Sequence, residues 1–306
     1  PEEKMILKTL FLETRPQFLL LSVVLAFLGT CIAWYDGAFN LGYALLGCIG
    51  LILTHASVNI LNDYFDYKSG VDLAVVRTPF SGGSGLLPSG SLRPRQVLWL
   101  GTVCLLLAIP IGIFFVMTRG WALVPLLLVG AVCVILYTPV ILKTYWPEWS
   151  PGLGLGLLPV MGAYFVQTGR YSWPLIIASV PSFILVHNLL FLNEFPDIEA
   201  DKRAGRRTTP IVIGPAKASL FYTGMTLLVY LWTIGAVVAG IMPVFCLLAL
   251  LTFPWAVGAI RGSRQYQDRS KLVPALAANV MVVLLTQLLL GLGYILAGLL
   301  RGRGTG

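Results

Sequence analysis

Charged residues are scarce in this chain of 306 residues, where Asp, Glu, Lys and Arg together make up only 11%. Soluble globular domains carry roughly 25% charged residues, so this composition excludes an ordinary water-soluble fold. Hydrophobic residues make up 57% of the chain, and the mean hydropathy is +0.85. We therefore expect an all-α membrane protein with several helices that cross the bilayer.

Several chemical signatures are also missing. The five cysteines include no Cys-x-x-Cys pair and all lie within apolar runs, which indicates packing residues and not a metal or redox site. No Gly-Lys-Ser or Gly-Lys-Thr occurs, so the sequence excludes a nucleotide-binding P-loop. The glycines Gly152, Gly154 and Gly156 lie inside an apolar run that follows no strand, and they indicate close helix packing.

Long apolar runs fill most of the chain and are separated by short polar connections. Most runs are close to the ~20 residues that a helix needs to cross a bilayer. The sequence therefore predicts about nine transmembrane helices. They lie near 16–35, 41–61, 96–117, 120–138, 152–168, 173–193, 216–239, 243–260 and 273–298.

The basic residues are distributed unequally between the two sides of the membrane that nine spans define. All but four of the 21 Lys and Arg residues fall on one side, and the other side holds only Arg119, Arg170, Arg301 and Arg303. The positive-inside rule predicts a cytoplasmic N-terminus and an external C-terminus. The net charge of +8 therefore indicates topology and an anionic lipid or substrate, and it gives no indication of nucleic-acid binding.

Acidic residues are concentrated at the cytoplasmic ends of the second and sixth predicted spans. We call residues 62–72 the first acidic segment and residues 193–201 the second acidic segment. In each, an Asn is followed four positions later by an Asp, a spacing that puts both side chains on one helix face. We call each such pair of side chains a ladder, and Asp201 is expected to extend the second ladder by one turn. The acids are Asp63, Asp66, Asp72, Glu194, Asp197, Glu199 and Asp201.

These acids predict a cation site. Carboxylates near a helix C-terminus oppose the helix dipole and repel one another, so several together indicate a compensating cation. Oxygen ligands without His or Cys suit Mg²⁺, which usually takes one or two carboxylates and completes its shell with water and phosphate oxygens. Two such segments facing each other would hold a diphosphate between metal ions. Simple solvation is the alternative. Asp63 and Glu199 lie off the ladder faces and are expected to be solvated or to support the ligands.

Asp72 lies six residues beyond Asp66, which advances a helix by about 600° and turns Asp72 away from the ladder face. If the helix instead ends at Gly70, the chain folds back and Asp72 reaches the metal directly or through water. The Ser69-Gly70 pair is a helix-stop signal and favours this second arrangement.

Four predicted spans separate the two acidic segments. Spans one to four and five to eight are therefore expected to form a parallel structural repeat, with the ninth span as an addition. This symmetry would place the two acidic helix ends on either side of a central cavity.

The two acidic segments resemble the signature of the UbiA superfamily of intramembrane prenyltransferases. Its members carry Asn-Asp-x-x-Asp after helix two and Asp-x-x-x-Asp after helix six, and residues 62–66 and 197–201 match these motifs. The stretches 66–72 and 201–208 are similar to the branch that makes menaquinone and related naphthoquinones. The 4-hydroxybenzoate branch usually carries a third Asp where this chain has Gly70.

The resemblance implies one transmembrane domain over residues 1–306, with about nine helices around a central cavity. It implies transfer of a polyprenyl group from a polyprenyl diphosphate to an aromatic quinone precursor, within the lipid membrane and with two Mg²⁺ ions. Haem, a chlorophyll precursor or a glycerol-phosphate lipid are alternative acceptors, and a transporter is the alternative outside the enzymes. The implied metal ligands are Asn62, Asp66, Asp72, Asn193, Asp197 and Asp201, of which Asp66, Asp197 and Asp201 are the implied catalytic residues.

A long polar connection near 67–95 follows the second span, and loops of this length are usually functional or disordered. We interpret it as a cytoplasmic cap that closes over the diphosphate. Arg206 and Arg207 are expected to bind phosphate or lipid headgroups. The other expected diphosphate contacts are basic residues on the same side of the membrane, namely Arg15, Lys68, Arg77 and Lys143.

Aromatic faces inside a dry cavity would stabilise the allylic carbocation that prenyl transfer implies. The two histidines lie inside predicted spans and are expected either to line the acceptor cavity or to make structural hydrogen bonds. The candidates for these roles are Tyr64, Tyr67, Tyr137, His55 and His187, with Phe65 and Tyr145 as further aromatic candidates.

Overall fold

The computed structural model describes residues 2–75 and 77–303, and over these ranges the chain is helical with short connections and contains no strand. This confirms the all-α fold class. The helices are α1 Glu2–Glu13, α2 Pro16–Tyr35, α3 Leu41–Ser69, α4 Val71–Ala74, α5 Pro94–Arg119, α6 Val124–Leu136, α7 Trp149–Pro151, α8 Leu158–Thr168, α9 Trp173–Asn193, α10 Ile198–Arg203, α11 Thr209–Ile213, α12 Pro215–Val238, α13 Phe253–Arg264 and α14 Arg269–Arg303.

Eight helical stretches in the described part of the chain are long and apolar enough to cross a membrane, so the protein is a multi-pass integral membrane protein. A π-helical turn at Gly152–Leu157 joins α7 to α8, and a 3-10 stretch at Val244–Thr252 precedes α13; each combination forms one span. The predicted span at 120–138 corresponds to a shorter apolar helix, Trp121–Leu136. All nine predicted apolar runs are therefore helical.

The helix boundaries follow from local chemistry. Pro16, Pro94 and Pro215 are the first residues of α2, α5 and α12, where the missing N–H of proline removes no helical hydrogen bond. The Asn40 side chain accepts a hydrogen bond from the backbone N–H of Tyr43 at 2.9 Å and so caps the start of α3. Gly70 ends α3 in the left-handed conformation, with φ at 81°.

The main core lies where α2, α8, α9 and α14 pack together. Small residues allow this close approach. A Cβ atom at Gly29 of α2 would lie only 2.4 Å from the carbonyl oxygen of Val160 in α8. Large apolar side chains on the outer surface, such as Leu106, Ile113 and Met117 of α5, are exposed and suit contact with lipid.

Successive spans run in alternate directions, so their connections collect at two opposite ends of the bundle. At one end, the Gln167 side chain accepts from Asn40 N at 2.6 Å and donates to the Asn40 carbonyl at 3.1 Å. Arg119 donates to the Gln167 carbonyl at 2.6 Å. These hydrogen bonds tie the ends of α3, α5 and α8 together. The two acidic segments lie at the other end.

Candidate active site

The first acidic segment begins on a regular α-helix. α3 continues from the membrane-spanning part as far as Ser69, so Asn62 and Asp66 lie one turn apart on one face. The Asn62 amide donates a hydrogen bond to the Thr138 hydroxyl at 2.9 Å, which fixes its orientation. This half of the site therefore has the geometry that the sequence spacing predicts.

The second acidic segment is not a regular α-helix. α9 ends at Asn193, a 3-10 turn covers Phe195–Asp197, and α10 begins at Ile198. Pro196 accounts for the break, because proline lacks the N–H that a continuing α-helix would use and clashes with the preceding turn. The expected single-face ladder through Asp201 is therefore wrong. The segment still brings Asn193, Asp197 and Asp201 to one cavity.

Both segments face a single cavity of about 220 Å³ at the end of the bundle. All six predicted metal-ligating residues belong to its lining. Apolar side chains of α2, α9 and α14 form the wall that extends into the bundle. The polar part of the lining includes Asn62, Asp66, Asp72, Asn193, Asp197 and Asp201, together with Glu194, Arg15 and Arg206.

The guanidinium of Arg206 connects the two segments. Its Nη1 atom donates to Asp201 Oδ1 at 2.8 Å, and its Nη2 atom contacts Asp66 Oδ1. Both carboxylates are buried, so the cation that accompanies them lies inside the protein and not in bulk water. The segments are thus close enough for one positively charged group to bind both.

Two further oxygens of the cavity suit a cation. Asn193 Oδ1 and Asp197 Oδ1 are buried and lack a hydrogen-bond partner among the described residues. Within the described ranges, no three His, Cys, Asp or Glu side chains converge as a preformed metal cluster. Amide and carboxylate oxygens such as those of Asn193 and Asp197 suit Mg²⁺, which takes few protein ligands and completes its shell with water and phosphate oxygens.

The position of Asp72 follows from the end of α3 at Gly70. Because Gly70 takes a positive φ, the chain turns and Asp72 in α4 lies in the cavity lining, buried. This confirms that the helix ends there. Burial raises the pKa of Asp72 to about 8, and the negative charges of Asp66 and Asp63 add to the rise.

The two acids expected to be solvated or supporting differ in their surroundings. Asp63 is only 1% exposed; its Oδ1 lies 3.7 Å from Arg15 Nη1, and its Oδ2 accepts from Ser84 N at 2.7 Å. Solvation is therefore wrong for Asp63, which supports neighbouring residues. The Glu199 side chain is 77% exposed and pairs with Lys202 at 3.2 Å, so solvation is right for Glu199.

The connection between α3 and α5 packs over the cavity. The Ser84 hydroxyl donates to Glu13 Oε2 at 2.7 Å while the Ser84 N–H binds Asp63, so one serine joins the loop to two acids. A Cβ atom on Gly83 would lie 3.1 Å from Asp72 Oδ1. Burial raises the pKa of Glu13 to about 7, with Asp63 as the next cause. The loop is therefore held over the cavity by specific contacts, and we call its residues 77–93 the roof loop.

The predicted diphosphate contacts are placed differently from one another. Arg15 lines the cavity, where its guanidinium also lies over the Phe18 ring at 4.8 Å. Arg77 is outside the lining and donates to the Gly82 carbonyl at 3.0 Å. Lys68 and Lys143 are exposed and also outside the lining, and the Lys68 ammonium lies over the Tyr64 ring at 5.7 Å.

Some of the aromatic and histidine candidates line the cavity, and others lie outside it. Tyr137 and His55 line the cavity, and His55 Nδ1 lies 2.9 Å from the Ser22 hydroxyl. Tyr64 and Tyr67 pack in a side cluster with the roof loop. His187 is fully buried outside the lining, where Trp146 Nε1 donates to His187 Nε2 at 2.9 Å. That hydrogen bond is the structural alternative considered for His187.

Sequence reasoning did not single out several lining residues. Phe18 and Phe80 supply aromatic faces, and Glu194 supplies a buried carboxylate whose two oxygens have no hydrogen-bond partner among the described residues. The Arg-Pro junction before α2 was the sequence signal for Phe18, and the Phe-Ser-Gly-Gly run of the loop was the signal for Phe80. The contact of Arg206 with Asp66 joins positions 140 residues apart and has no local signal.

The chain is similar in sequence to known proteins. Residues 21–285 match the UbiA prenyltransferase family. The 1,4-dihydroxy-2-naphthoate octaprenyltransferase of Bacillus subtilis (strain 168) is 27% identical over 300 residues, which cover 97% of this chain and 95% of that protein.

Two solved structures share the fold. A digeranylgeranylglyceryl phosphate synthase superposes with a TM-score of 0.65 at 19% identity, covering 95% of this chain and 99% of the other. A UbiA homologue from Archaeoglobus fulgidus bound to GPP and Mg²⁺ superposes with a TM-score of 0.62 at 14% identity, covering 94% and 99%. At these identities the likeness concerns the fold.

Proposed function

Because this chain belongs to the UbiA prenyltransferase family, we propose that it transfers a polyprenyl group from a polyprenyl diphosphate to an aromatic quinone precursor of the 1,4-dihydroxy-2-naphthoate type. The observation that carries the proposal is the cavity into which both acidic segments project. Family membership also decides between the two classes considered from the sequence, since the chain is a prenyltransferase and not a transporter.

The polar end of the cavity suits a metal-bound diphosphate. Asn62, Asp66 and Asp72 on one side and Asn193, Asp197 and Asp201 on the other would hold Mg²⁺. When bound, Mg²⁺ neutralises the diphosphate and makes it a better leaving group. The homologue from Archaeoglobus fulgidus is described as bound to GPP and Mg²⁺, which supports the same ligand chemistry here. Two ions are proposed, one for each segment.

The apolar end of the cavity suits the isoprenoid chain. Leu21, Leu189, Val283 and Leu284 lie in its wall and come from three different helices. A long hydrocarbon chain that enters from the bilayer exchanges one apolar environment for another, so this wall accommodates it without exposing it to water. The apolar wall also keeps water away from the carbon that becomes positively charged when the C–O bond breaks.

Chain residues near the reacting carbon have separate roles. Arg15 is positioned to bind diphosphate oxygens, because it lines the cavity and its partner Asp63 holds the guanidinium in place. Tyr137 and Phe18 place aromatic rings in the cavity lining, and aromatic rings attract a cation. The roof loop would exclude water once the diphosphate is bound.

The acceptor is assigned from the relative. The Bacillus subtilis protein is named a 1,4-dihydroxy-2-naphthoate octaprenyltransferase and aligns with 97% of this chain. A glycerol-phosphate lipid is the second candidate, because a digeranylgeranylglyceryl phosphate synthase shares the fold. The alignment favours the aromatic acceptor over the lipid. Gly70, at the position where the 4-hydroxybenzoate branch usually has Asp, favours a naphthoate over 4-hydroxybenzoate.

A product panel tests the proposal. Purified protein in lipid nanodiscs with Mg²⁺ would receive prenyl diphosphates of several lengths, each with a dihydroxynaphthoate, a 4-hydroxybenzoate or a glycerol-phosphate lipid acceptor. Mass spectrometry of the extracted lipid should show a prenylated dihydroxynaphthoate, formed with loss of a ring proton, or a prenylated naphthoquinol, formed with loss of the carboxylate as CO2. A phosphate assay of the aqueous phase should show an equal amount of released diphosphate, and EDTA should abolish both products. Product formation only with another acceptor would overturn the acceptor assignment.

A further inference from the structure

Arg206 has an unusual place in a cavity with many acids. Five carboxylate side chains belong to the lining, and the basic side chains of the described lining are Arg15 and Arg206. Arg15 lies beside Asp63, which is outside the lining. Arg15 pairs with Asp63 in the first acidic segment, whereas Arg206 contacts both acidic segments, through Asp66 and Asp201. Its positive charge therefore compensates Asp66 and Asp201.

The backbone around Arg206 fixes this placement. Gly205 has φ at +75° and turns the chain back over α10, where Arg206 N donates to the Asp201 carbonyl at 3.0 Å. The next residue is also held, because Arg207 N donates to the Leu142 carbonyl at 3.1 Å. The guanidinium thus reaches Asp66 and Asp201 from an anchored main chain, and its remaining freedom is in its side-chain torsions.

The oxygens that Arg206 contacts are those that a metal ion would use. Asp66 Oδ1 and Asp201 Oδ1 are both bound by the guanidinium, and each belongs to a motif expected to ligate Mg²⁺. Charge-assisted hydrogen bonds of this kind are about twice as strong as neutral ones. A guanidinium and a metal ion therefore compete for the same two carboxylates.

We propose that Arg206 is a tethered cation that competes with Mg²⁺ for Asp66 and Asp201 and, when Mg²⁺ holds these carboxylates, binds the diphosphate instead. The proposal rests on the proposed function, since it takes a metal-bound diphosphate as the ligand. Arginine suits both positions, because its planar fork pairs with carboxylate and phosphate oxygens alike. The side chain lies in the same cavity as the predicted diphosphate site, so the exchange needs only a change of side-chain torsions.

This exchange couples the binding of metal and diphosphate. Without diphosphate, Mg²⁺ must displace Arg206 from Asp66 and Asp201 and leave a buried guanidinium without a partner, which weakens metal binding. With diphosphate present, the displaced guanidinium has a new anionic partner. Arg206 therefore makes each ligand bind more tightly when the other is present, and the two effects are equal by linkage.

The test measures binding and not turnover. Isothermal titration would determine the affinity of the purified protein for Mg²⁺ alone and for inorganic diphosphate at saturating Mg²⁺. In Arg206→Gln, Mg²⁺ alone should bind roughly tenfold more tightly, and diphosphate roughly tenfold more weakly, because two charge-assisted hydrogen bonds are lost in each case. Arg206→Lys keeps the charge but loses the fork, so its affinities should lie between those of wild type and Arg206→Gln.

Arg207→Gln is the matched control. Arg207 is the adjacent arginine, but it is exposed and contacts the Tyr145 hydroxyl, away from the acidic segments. Its substitution should leave the affinity for Mg²⁺ alone unchanged. Thermal unfolding in EDTA gives a second readout: Arg206→Gln should melt at a lower temperature than wild type and gain more stability from added Mg²⁺.

Three outcomes would overturn the proposal, and they can be distinguished. If wild type binds Mg²⁺ and diphosphate while Arg206→Gln and Arg206→Lys bind Mg²⁺ alone with wild-type affinity, the tethered-cation proposal fails and the proposed function stands. If wild type binds neither Mg²⁺ nor diphosphate, both fail. A merely structural role for Arg206 would lower stability without tightening Mg²⁺ binding, and this result would also overturn the proposal.

Discussion

At the scale of residues, neighbouring acids in one motif have opposite surroundings. Asp201 is 2% exposed and is bound by Arg206, whereas Glu199, two residues earlier, points to solvent. A buried carboxylate that contacts a cation inside a cavity has a defined partner at a defined distance. An exposed carboxylate paired with Lys202 contributes little to the free energy of folding, because surface ion pairs are screened by water.

The two acids therefore predict different effects of substitution. Asp201→Asn should lower the prenyl-transfer rate by ~10² or more, because it would remove a carboxylate that we propose holds Mg²⁺ at the leaving diphosphate. Glu199→Gln should keep near wild-type activity. Product formation under saturating Mg²⁺ would be measured for both, with circular dichroism to verify folding. Equal losses in the two variants would show that general acidity at this helix end is what matters.

At the scale of elements, the roof loop is joined to the site through close backbone contact. Gly83 has a positive φ, and a Cβ atom there would lie 3.1 Å from Asp72 Oδ1 and 3.3 Å from Asp63 Oδ1. Gly90, in the same loop, also has a positive φ, but a Cβ atom there would meet nothing within 4 Å. Substitution of Gly90 therefore introduces backbone strain alone, whereas substitution of Gly83 also crowds the carboxylates of Asp72 and Asp63.

Gly83→Ala should reduce both activity and apparent Mg²⁺ affinity, because the methyl group pushes the loop away from Asp72 and Asp63. Gly90→Ala should cost only the strain of a left-handed alanine, about 1 kcal/mol of stability, with normal Mg²⁺ dependence. The measurement is activity as a function of Mg²⁺ concentration in both variants. If activity depends on Mg²⁺ concentration identically in the two variants, the roof loop does not influence the metal site.

The hydrogen bond between α1 and the roof loop predicts a pH effect on stability. The pKa of Glu13 is raised from 4.5 to about 7, chiefly by burial and then by Asp63. Between these two values the folded protein binds a proton that the unfolded chain does not, so stability falls as pH rises through this window and is level above it.

Glu13→Gln should remove this contribution, because an amide stays neutral and still accepts a hydrogen bond from Ser84. Relative to wild type, the variant should be more stable at pH 8 than at pH 5. Thermal unfolding followed by tryptophan fluorescence at both pH values measures the difference. If the difference in stability between the two proteins is the same at pH 5 and pH 8, the pH effect does not come from Glu13.

At the scale of the whole molecule, the connections lie at two ends that differ in charge. The end that carries the acidic segments and roof loop also carries most of the Lys and Arg residues, and Arg119 and Arg170 lie at the other end. The positive-inside rule then predicts that the site faces the cytoplasm. This orientation is a prediction that helix packing alone does not test.

Cysteine labelling in intact cells tests the orientation. In a variant whose five cysteines are replaced by alanine, a membrane-impermeant maleimide should label Arg170→Cys in intact cells and Ser91→Cys only after permeabilisation. Both positions are exposed, so labelling depends on the side of the membrane and not on burial. The reverse pattern would place the site outside the cell.

Much of the architecture was predictable because it depends on local properties of the chain. Apolar runs near the length of a bilayer crossing predict the spans, and the run at 120–138, which forms the short helix Trp121–Leu136, shows that length is less predictable than helicity. The spacing from Asn62 to Asp66 predicts a shared helix face, since 3.6 residues make one turn. Ser69-Gly70 predicts the end of α3 for the same local reason.

Contacts between distant segments required the folded chain. The spacing from Asn193 to Asp201 suggested a continuous helix, but Pro196 interrupts it. Asp63 looked free to be solvated until the roof loop brought Ser84 to it, 21 residues away. Lys143 shares the sign of charge and the membrane side of Arg15, yet it points outward. Arg206 reaches Asp66 across 140 residues. Such contacts depend on how whole helices pack, and the residues next to a side chain in the sequence do not predict that packing.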